Sequence, residues 1–361
     1  MIPIAKPLLG AEEKAAVSRV LESGMLAQGP KVAEFEQAFA HFIGTQFAIA
    51  TSNGTTALHA ALLAHNLGPG DEVITTPFSF IATANAITMT GAKPVFVDIE
   101  EDSFNINPSL IEAAITPKTK AILPVHLYGK PANMKAITEI AAKHNLTIIE
   151  DACQAHGAEF EHKKVGSFGT GCFSFYPTKN MTSSEGGMIT TNDETLAKKI
   201  RKIISHGSEK RYHHDFLGYN YRMTDVAAAI GVEQVKKLPS FNQKRIKNAL
   251  YLTQNPSRTS LKHLHFPQVT PGHVFHQYTI RVAPKFKKSR EELIAYLTEK
   301  GIGSAVFYPL PIHKQKAYSE YNHQRFPIAE KIAQEVLSLP VHPGLTEKEL
   351  HMIIAVLEEL A

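Results

Sequence analysis

Short β-rich runs alternate with helix-like segments over residues 47–205, and this alternation restricts the chain to few folds. The candidate strands are FAIATS (47–52), EVITTP (72–77), KPVFVDI (93–99), AILPVH (121–126), TIIEDA (147–152), CFSFYP (172–177) and GMITT (187–191). Most of them are continuously apolar, which is typical of strands covered on both faces. The helix-like segments between them include TTALHAALLAHN, SFIATANAITMT, PSLIEAAI and NMKAITEIAAKHN. The pattern predicts an α/β fold with a seven-stranded, mostly parallel sheet flanked by helices.

The loop between the last two candidate strands is too short for a helical crossover. We therefore expect the seventh strand to run antiparallel to the sixth. The same loop carries Lys179, directly after a β-rich run. A lysine in this place is either an ordinary solvated turn residue or an amine positioned to react with a carbonyl group.

A chain of 361 residues exceeds the usual size of a single hydrophobic core. The segment TDVAAAIGVEQVKKL (224–238) predicts an amphipathic helix with Thr224 as its N-cap, and turn-rich sequence follows it. We predict a large domain over residues 1–239 and a small C-terminal α+β domain over residues 240–361. The first 25 or so residues are expected to pack on the small domain.

The charge pattern excludes several classes of protein. Lys plus Arg number 38 and Asp plus Glu 34, without a dense basic cluster, so a nucleic-acid or membrane surface is not expected. The N-terminus lacks the pattern of a signal peptide, and no apolar run approaches the length of a membrane span, so we predict a cytoplasmic protein. The one histidine doublet, in YHHDF (212–216), lacks further ligands at metal spacing, and no metal site is predicted.

Ligands of open α/β sheets bind outside the carboxyl ends of the strands, so the residues that follow each strand are candidates for a site. SNGTT (52–56) follows the first strand and opens a helix. Its small residues allow close approach of the backbone, and Gly54, Thr55 and Thr56 offer N–H groups and hydroxyls. The segment favours a phosphate site, although an ordinary capped turn can have the same sequence.

The later strands add different chemistry at the same edge. Phe80 follows the second strand and is either an aromatic plate or a core residue. Asp151 ends the fifth strand, where a buried carboxylate is costly without a cation, and Gln154 follows within one turn. Ser174 and Lys179 follow at the end of the sixth strand. One crevice would therefore hold a phosphate cradle, an aromatic ring, a carboxylate, an amide and a lysine.

Pyridoxal 5'-phosphate requires this combination of groups. Its phosphate binds N–H groups and hydroxyls, and its ring packs on a flat apolar partner. Its pyridinium nitrogen needs a carboxylate, and its aldehyde forms a Schiff base with a lysine. Each of these signals is weak alone, but their joint order along one sheet predicts a site for this cofactor.

Several longer stretches extend this interpretation over nearly the whole chain. They are GPKVAEFEQAFA, TSNGTTALHAAL, GDEVITTPFSFIATANAI, PVFVDIEEDSFNINP, PVHLYG, IIEDACQAHGA, FSFYPTKNMTSSEGGMITT, HGSEKRYHHDFLGYNYRMTDVAAAIG and SLPVHPGLT. In these stretches the chain resembles the DegT/DnrJ/EryC1/StrS family of sugar aminotransferases, which have the fold-type I architecture of PLP-transferases. Two local departures, Cys153 where alanine is common and Ser184 where glycine is common, do not affect the expected chemistry.

The resemblance implies roles for residues at matching positions. Lys179 would form the Schiff base with pyridoxal 5'-phosphate, and Asp151 would hold the pyridinium nitrogen. The other implied cofactor contacts are Phe80 on the ring, Gln154 on the phenolate oxygen, and Gly54, Thr55, Thr56 and Ser174 on the phosphate. Asn220, in GYNYR, would reach the phosphate in the neighbouring subunit, so the family implies a homodimer with shared active sites. Candidate substrate-binding residues are Arg222, Tyr308 and His313.

The implied activity is transfer of an amino group from an amino acid, expected to be L-glutamate, to a nucleotide-linked keto sugar, with pyridoxamine 5'-phosphate as the intermediate form of the cofactor. The N-terminal IPIAKP resembles the branch that makes 4-amino sugars, so a 4-keto-6-deoxy sugar is preferred to a 3-keto sugar. Amination of a keto-cyclitol and a non-catalytic regulator that binds the cofactor remain alternatives. Lys179 argues against a sugar dehydratase, in which histidine replaces this lysine. The absence of G-x-G-x-x-G after a strand argues against a nicotinamide oxidoreductase.

Overall fold

A seven-stranded sheet forms the centre of the larger lobe, in a computed structural model that describes residues 1–256 and 261–360. Its strands are β1 (Phe47–Thr51), β2 (Glu72–Thr75), β3 (Lys93–Phe96), β4 (Thr119–Ile122), β5 (Thr147–Asp151), β6 (Thr170–Ser174) and β7 (Gly187–Thr191). Their order across the sheet is β1-β7-β6-β5-β4-β2-β3. β7 runs antiparallel to both of its neighbours, and the other pairs are parallel. The predicted α/β class and the antiparallel seventh strand are confirmed.

Ten α-helices are found within the described residues. They are α1 (Ala11–Ser23), α2 (Pro30–Ile43), α3 (Gly54–Ala64), α4 (Ala82–Met89), α5 (Met134–His144), α6 (Glu194–Ile203), α7 (Asp225–Gln254), α8 (Arg290–Glu299), α9 (Pro327–Glu335) and α10 (Glu347–Glu358). The prediction of a helix over PSLIEAAI was wrong, because this segment forms two 3₁₀ turns, Pro108–Leu110 and Glu112–Ala114. Other 3₁₀ turns are Leu127–Gly129, Ile312–Lys314 and Lys316–Tyr321.

Apolar layers cover both faces of the sheet. On one face, Phe39 of α2 lies 4.9 Å from Phe173 and 5.3 Å from Phe175, measured between ring centroids. On the other face, α3 and α6 pack their apolar side chains around Cys172 and Ile189. Because successive residues of a strand point to opposite faces, β6 presents Phe173 and Phe175 to α2 and leaves the residues between them for the other face.

The smaller lobe contains a three-stranded antiparallel sheet of β8 (Leu264–His265), β9 (Tyr278–Val282) and β10 (Val336–Leu339). Two short hairpins complete the structure, Glu159–Phe160 with Lys163–Lys164 and Ser208–Lys210 with His213–His214. Ile2 joins the apolar core of the smaller lobe and forms a bridge with Ile302.

α7 connects the two lobes as one continuous helix. It begins at the predicted N-cap, where the Thr224 side chain accepts a hydrogen bond from the N–H of Ala227. It continues through Pro239 to Gln254, so the boundary predicted at residues 239/240 falls inside the helix and stays a prediction.

Asp98 fastens the smaller lobe to the larger one. Its carboxylate accepts hydrogen bonds from the N–H groups of Ile328 (3.0 Å) and Ala329 (2.9 Å) in the first turn of α9. Within residues 1–256 and 261–360, no helix combines the length and apolar character that a bilayer crossing needs.

Candidate active site

A cavity of about 650 Å³ opens at the carboxyl ends of the parallel strands and is closed on one side by the smaller lobe. Among its lining residues are these sequence-predicted site residues: Gly54, Thr55, Thr56, Phe80, Asp151, Gln154, Ser174, Lys179 and Tyr308. Residues that are far apart in the chain therefore converge as the predicted strand ends require. Their chemical roles stay predictions.

The N-terminus of α3 offers free N–H groups to the cavity. The Asn53 side chain caps the helix by accepting a hydrogen bond of 2.9 Å from the N–H of Thr56. No hydrogen bond within the described residues uses the N–H groups of Gly54 and Thr55. Glycine is required at 54 because a Cβ there would lie 2.7 Å from the Cβ of Ser174. This end of the cavity is suited to an anion.

Asp151 presents a carboxylate to the cavity from the end of β5. Its Oδ2 accepts a hydrogen bond of 2.7 Å from the Thr83 hydroxyl, and its Oδ1 accepts one of 3.2 Å from the N–H of Cys153. Asp151 is 6% exposed, so a ligand cation or N–H⁺ group that reaches it meets a charge that water screens little.

Lys179 lies in the loop after β6, where its N–H donates to the carbonyl of Tyr176 at 2.9 Å. Its side-chain amine has no hydrogen-bond or ion-pair partner within residues 1–256 and 261–360. The following residue anchors the loop, because the Asn180 amide donates to the Asn242 side chain (2.9 Å) and to the carbonyl of Val274 (3.1 Å). Burial lowers the pKa of Lys179, with Cys153 and Asp151 opposing the shift, which favours the neutral, nucleophilic amine.

Two buried imidazoles near Lys179, His156 and His276, were missed by the sequence interpretation. Burial and the nearby lysine lower the pKa of His156 to about 3, and burial holds the pKa of His276 well below its ordinary value. Both rings are therefore neutral near pH 7. The Arg245 guanidinium donates to the backbone carbonyls of Phe275 (3.2 Å) and His276 (3.3 Å), which fixes this wall of the cavity.

Gln154, Tyr308 and Phe80 form the side of the cavity next to the smaller lobe. The Gln154 amide donates to the Tyr308 hydroxyl at 3.1 Å, and its oxygen accepts from the N–H of Tyr128 at 2.9 Å. Burial raises the pKa of Tyr308 well above its ordinary value, so this hydroxyl stays protonated. Phe80 is 53% exposed, and its ring centroid lies 6.0 Å from that of Tyr308.

Three predicted residues do not line this chain's cavity. Asn220 is exposed and forms a backbone bridge with Ser205, and the Arg222 guanidinium donates to the Ser205 hydroxyl at 3.1 Å. His313 is buried, with its Nε2 3.1 Å from a Glu330 carboxylate oxygen. Within a single chain the structure therefore gives these three residues no contact with the cavity.

Several other lining residues were not predicted, among them Thr83, Tyr176, Glu185, His276 and Gln277. Thr83 follows Phe80 by less than one helical turn, so its proximity could have been inferred from the spacing. His276 comes from the turn-rich segment before β9, for which the sequence pattern gave no placement. Within the described residues, no group of three His, Cys, Asp or Glu side chains could hold a metal ion.

A profile described as the DegT/DnrJ/EryC1/StrS aminotransferase family matches residues 7–358. The chain belongs to this family. Curated relatives cover the same range. The pleiotropic regulatory protein of Geobacillus stearothermophilus is 45% identical over 349 residues, which cover 95% of this chain and 92% of the relative. The GDP-perosamine synthase of Caulobacter vibrioides is 41% identical over 366 residues, covering 99% of this chain and 98% of the relative.

Other members of the DegT/DnrJ/EryC1/StrS family extend the range of named sugar substrates and add a bound intermediate. The UDP-N-acetyl-3-dehydro-alpha-D-glucosamine 3-aminotransferase of Acidithiobacillus ferrooxidans is 41% identical over 345 residues, covering 94% of this chain and 91% of the relative. Among solved structures, DesV of S. venezuelae in complex with a ketimine intermediate has a TM-score of 0.91 and 38% identity, covering 97% of this chain and 94% of that chain.

Proposed function

We propose that this family member is a pyridoxal 5'-phosphate-dependent aminotransferase that moves an amino group from L-glutamate to a nucleotide-linked keto sugar. The main support is the unpaired amine of Lys179, which lies in the same cavity as the Asp151 carboxylate and the free N–H groups of α3. Relatives of this family act, by their names, on GDP- and UDP-linked sugars, which supports an acceptor of that class.

The residues of the cavity fit pyridoxal 5'-phosphate. The free N–H groups of Gly54 and Thr55, together with the Ser174 hydroxyl, would hold its phosphate. Asp151 would hold the pyridinium nitrogen, and Phe80, which is exposed toward the cavity, would pack on the ring. When bound, the cofactor supplies a ring that takes up negative charge as the Cα proton leaves the donor.

Lys179 would move the protons of the reaction. Burial lowers its pKa, which favours the neutral Nζ that takes a proton from the donor Cα. The Asp151 carboxylate would face the reacting centre, oriented by the Thr83 hydroxyl and the N–H of Cys153. His156 and His276 are neutral and add no positive charge near Lys179. Burial, opposed by Cys153 and Asp151, therefore sets the proton affinity of the lysine.

We prefer a 4-keto-6-deoxy sugar as the acceptor, because the N-terminal IPIAKP resembles the branch of the family that makes 4-amino sugars. Among the curated relatives, the A. ferrooxidans protein is named for amination at C3, so a 3-keto sugar is the direct competitor. A keto-cyclitol would fill the same cavity without a nucleotide.

The active unit of the proposal is a homodimer in which Asn220 completes the site of the neighbouring subunit. Asn220 is exposed and lies outside its own cavity, as a residue that serves the partner would be. Exposed apolar residues in the same segment, Tyr212, Phe216 and Leu217, support an interface there.

A non-catalytic regulator is the second candidate, because the G. stearothermophilus relative is named a pleiotropic regulatory protein. The two candidates differ in whether Lys179 must take part in catalysis. A regulator could bind the cofactor without transferring an amino group.

The decisive experiment incubates the cofactor-loaded protein with L-glutamate and a panel of nucleotide-linked 3-keto and 4-keto sugars, and identifies products by mass and NMR. Conversion of a 4-keto-6-deoxy sugar is expected. If glutamate is converted but no sugar of the panel is aminated, the protein would be an aminotransferase for another acceptor, such as a keto-cyclitol. Borohydride treatment followed by peptide mapping is expected to fix the cofactor on Lys179. Labelling of another lysine, or no conversion of glutamate at all, would contradict the proposal.

A further inference from the structure

The connection between β6 and β7 carries Tyr176 shortly after β6 and Glu185 shortly before β7, and both residues line the cavity. Ser174 pairs with Gly187 at the end of the hairpin ladder, and the next backbone hydrogen bond, 2.8 Å long, continues the same register. The carbonyl of Phe175 then accepts a hydrogen bond of 3.1 Å from the N–H of Ser183, so the regular pairing ends here. Tyr176 and Glu185 each lie two residues beyond the last pair, and both side chains line the cavity.

Strand parity turns the Tyr176 side chain toward the cavity. Phe173 and Phe175 pack on α2, so Ser174 and Tyr176 face the other way. Tyr176 is 48% exposed, although large aromatic side chains are usually more deeply buried. Glu185 is also exposed, and both residues line the cavity.

The backbones of the two residues are anchored, whereas their polar tips are free. The carbonyl of Tyr176 accepts from the N–H of Lys179 at 2.9 Å, and the carbonyl of Glu185 accepts from the Ser183 hydroxyl at 2.9 Å. Within residues 1–256 and 261–360, no hydrogen bond or ion pair engages the Tyr176 hydroxyl or the Glu185 carboxylate. An aromatic ring and an unpaired carboxylate are therefore both available to a ligand in the cavity.

The position of the pair relative to Lys179 indicates which ligand part it meets. The deep end of the cavity, with Asp151 and the N-terminus of α3, is assigned to the cofactor, and Phe80 to the cofactor ring. Tyr176 begins the tight turn that ends at Lys179, and both residues line the cavity that the substrate carbonyl must enter. The part of the acceptor that carries this carbonyl is the hexose.

We propose that Tyr176 and Glu185 recognise the hexose ring of the nucleotide-linked acceptor, an inference that rests on the proposed function and adds specificity residues to it. The C–H groups on one face of a hexose carry partial positive charge and pack on the negative face of an aromatic ring. A carboxylate accepts charge-assisted hydrogen bonds from hydroxyls at the ring edge. Tyr176 supplies the first of these elements to the cavity and Glu185 the second.

The test measures the two half-reactions of the holoenzyme separately, with L-glutamate as donor and with the keto sugar that the wild-type enzyme converts fastest. Tyr176→Ala and Glu185→Gln are each expected to raise KM for the sugar about 10-fold more than KM for glutamate. Tyr176→Phe keeps the ring and is expected to restore KM to near the wild-type value. Glu139→Gln, an exposed acid on α5 outside the cavity, is the matched control for loss of one negative charge.

A second measurement separates the hexose from the nucleotide. Inhibition by the free nucleoside diphosphate of the same substrate is expected to change less than 2-fold in Tyr176→Ala. If inhibition by the nucleoside diphosphate weakens as much as KM for the sugar rises, Tyr176 contacts the base, and the hexose assignment is overturned. Equal effects on both half-reactions, or none on either, in an active wild-type background would overturn the inference and leave the proposed function intact. A wild-type enzyme that aminates no nucleotide sugar would overturn both.

Discussion

Glu150 and Asp151 are neighbours at the end of β5, but their carboxylates serve different environments. The Glu150 carboxylate is fully buried and contacts these donors: the N–H groups of Gly166 (2.7 Å), Phe168 (2.8 Å) and Gly169 (3.0 Å), and His126 Nε2 (3.0 Å). Asp151 points the other way, as strand alternation requires, and lines the cavity. The carboxylates of two adjacent acids therefore lie in separate environments, one in the core and one at the cavity.

Asp151→Asn is expected to lower kcat by about 10²-fold or more, with a much smaller change in KM. The Asp151 carboxylate would hold the pyridinium nitrogen of the cofactor. This contact matters most when negative charge develops as the Cα proton leaves, so its loss should affect kcat. Steady-state kinetics with the best acceptor of the panel measures both constants. A near-normal kcat would mean that another group holds the pyridinium nitrogen.

Glu150→Gln is expected to lower the free energy of unfolding by about 1–3 kcal/mol, because at least one buried N–H loses its acceptor. Urea unfolding followed by circular dichroism measures the change. The variant should keep its kcat per folded molecule, in contrast to Asp151→Asn. A selective loss of kcat without loss of stability would reverse the roles assigned to the two acids.

Lys179→Met is expected to stabilise the cofactor-free protein at pH 7. Burial lowers the pKa of Lys179 in the folded state, so the folded protein binds this proton more weakly than the unfolded chain. The resulting loss of folding stability is largest at pH values below the lowered pKa, and it decreases as the pH rises toward the ordinary lysine pKa. The gain in urea midpoint should therefore be larger at pH 7 than at pH 10.

Lys244→Met is the control for Lys179→Met, because Lys244 is an exposed residue of α7. It is expected to change the urea midpoint little at either pH. A gain for Lys179→Met that does not depend on pH would show that the effect comes from packing and not from the charge.

Mixing Lys179→Ala with Asn220→Asp is expected to restore activity if the site is shared between subunits. The aspartate should repel the cofactor phosphate by like charge, so each variant alone is inactive. A mixed dimer then has one site with both defects and one with neither, and should approach half the wild-type activity. Assays before and after subunit exchange measure the recovery.

Absence of recovery, with mixed dimers confirmed by native mass spectrometry, would reject the shared site. In that case both residues serve the site of one chain, and every site in the mixed dimer carries one defect. Wild-type protein mixed with Asn220→Asp is the control for the effect of exchange itself.

The strands of the large lobe were predictable because each is a short apolar run bounded by turn residues. The ends were less precise, since CFSFYP predicted a strand to residue 177, whereas β6 ends at Ser174 and its pairing continues only through local hydrogen bonds. PSLIEAAI has helical spacing but forms 3₁₀ turns, because Pro108 and the capping side chain of Asn107 set up a short turn instead of a longer helix. Tertiary packing extends α7 well beyond the predicted end at residue 238.

The convergence of the site was predictable from one rule about strand ends, which located Lys179, Asp151 and Gln154 in one cavity. The environment of each group was not. That Glu150 is held in the core, and that His276 lines the cavity, depends on contacts between segments far apart in the chain. Tyr176 and Glu185 could have been proposed from the hairpin itself, because each lies two residues beyond the last strand pair, Ser174 with Gly187, at the cavity end of the two strands.

The bridge between Ile2 and Ile302 affects the order in which the protein can fold during synthesis. Residue 2 leaves the ribosome long before residue 302, so the apolar segment around Ile2 must wait while the whole larger lobe is made. A nascent chain of this kind exposes Ile2 next to a nearly finished larger lobe. Chaperones that bind short extended segments would find this segment free until the part of the smaller lobe that contains Ile302 has been made.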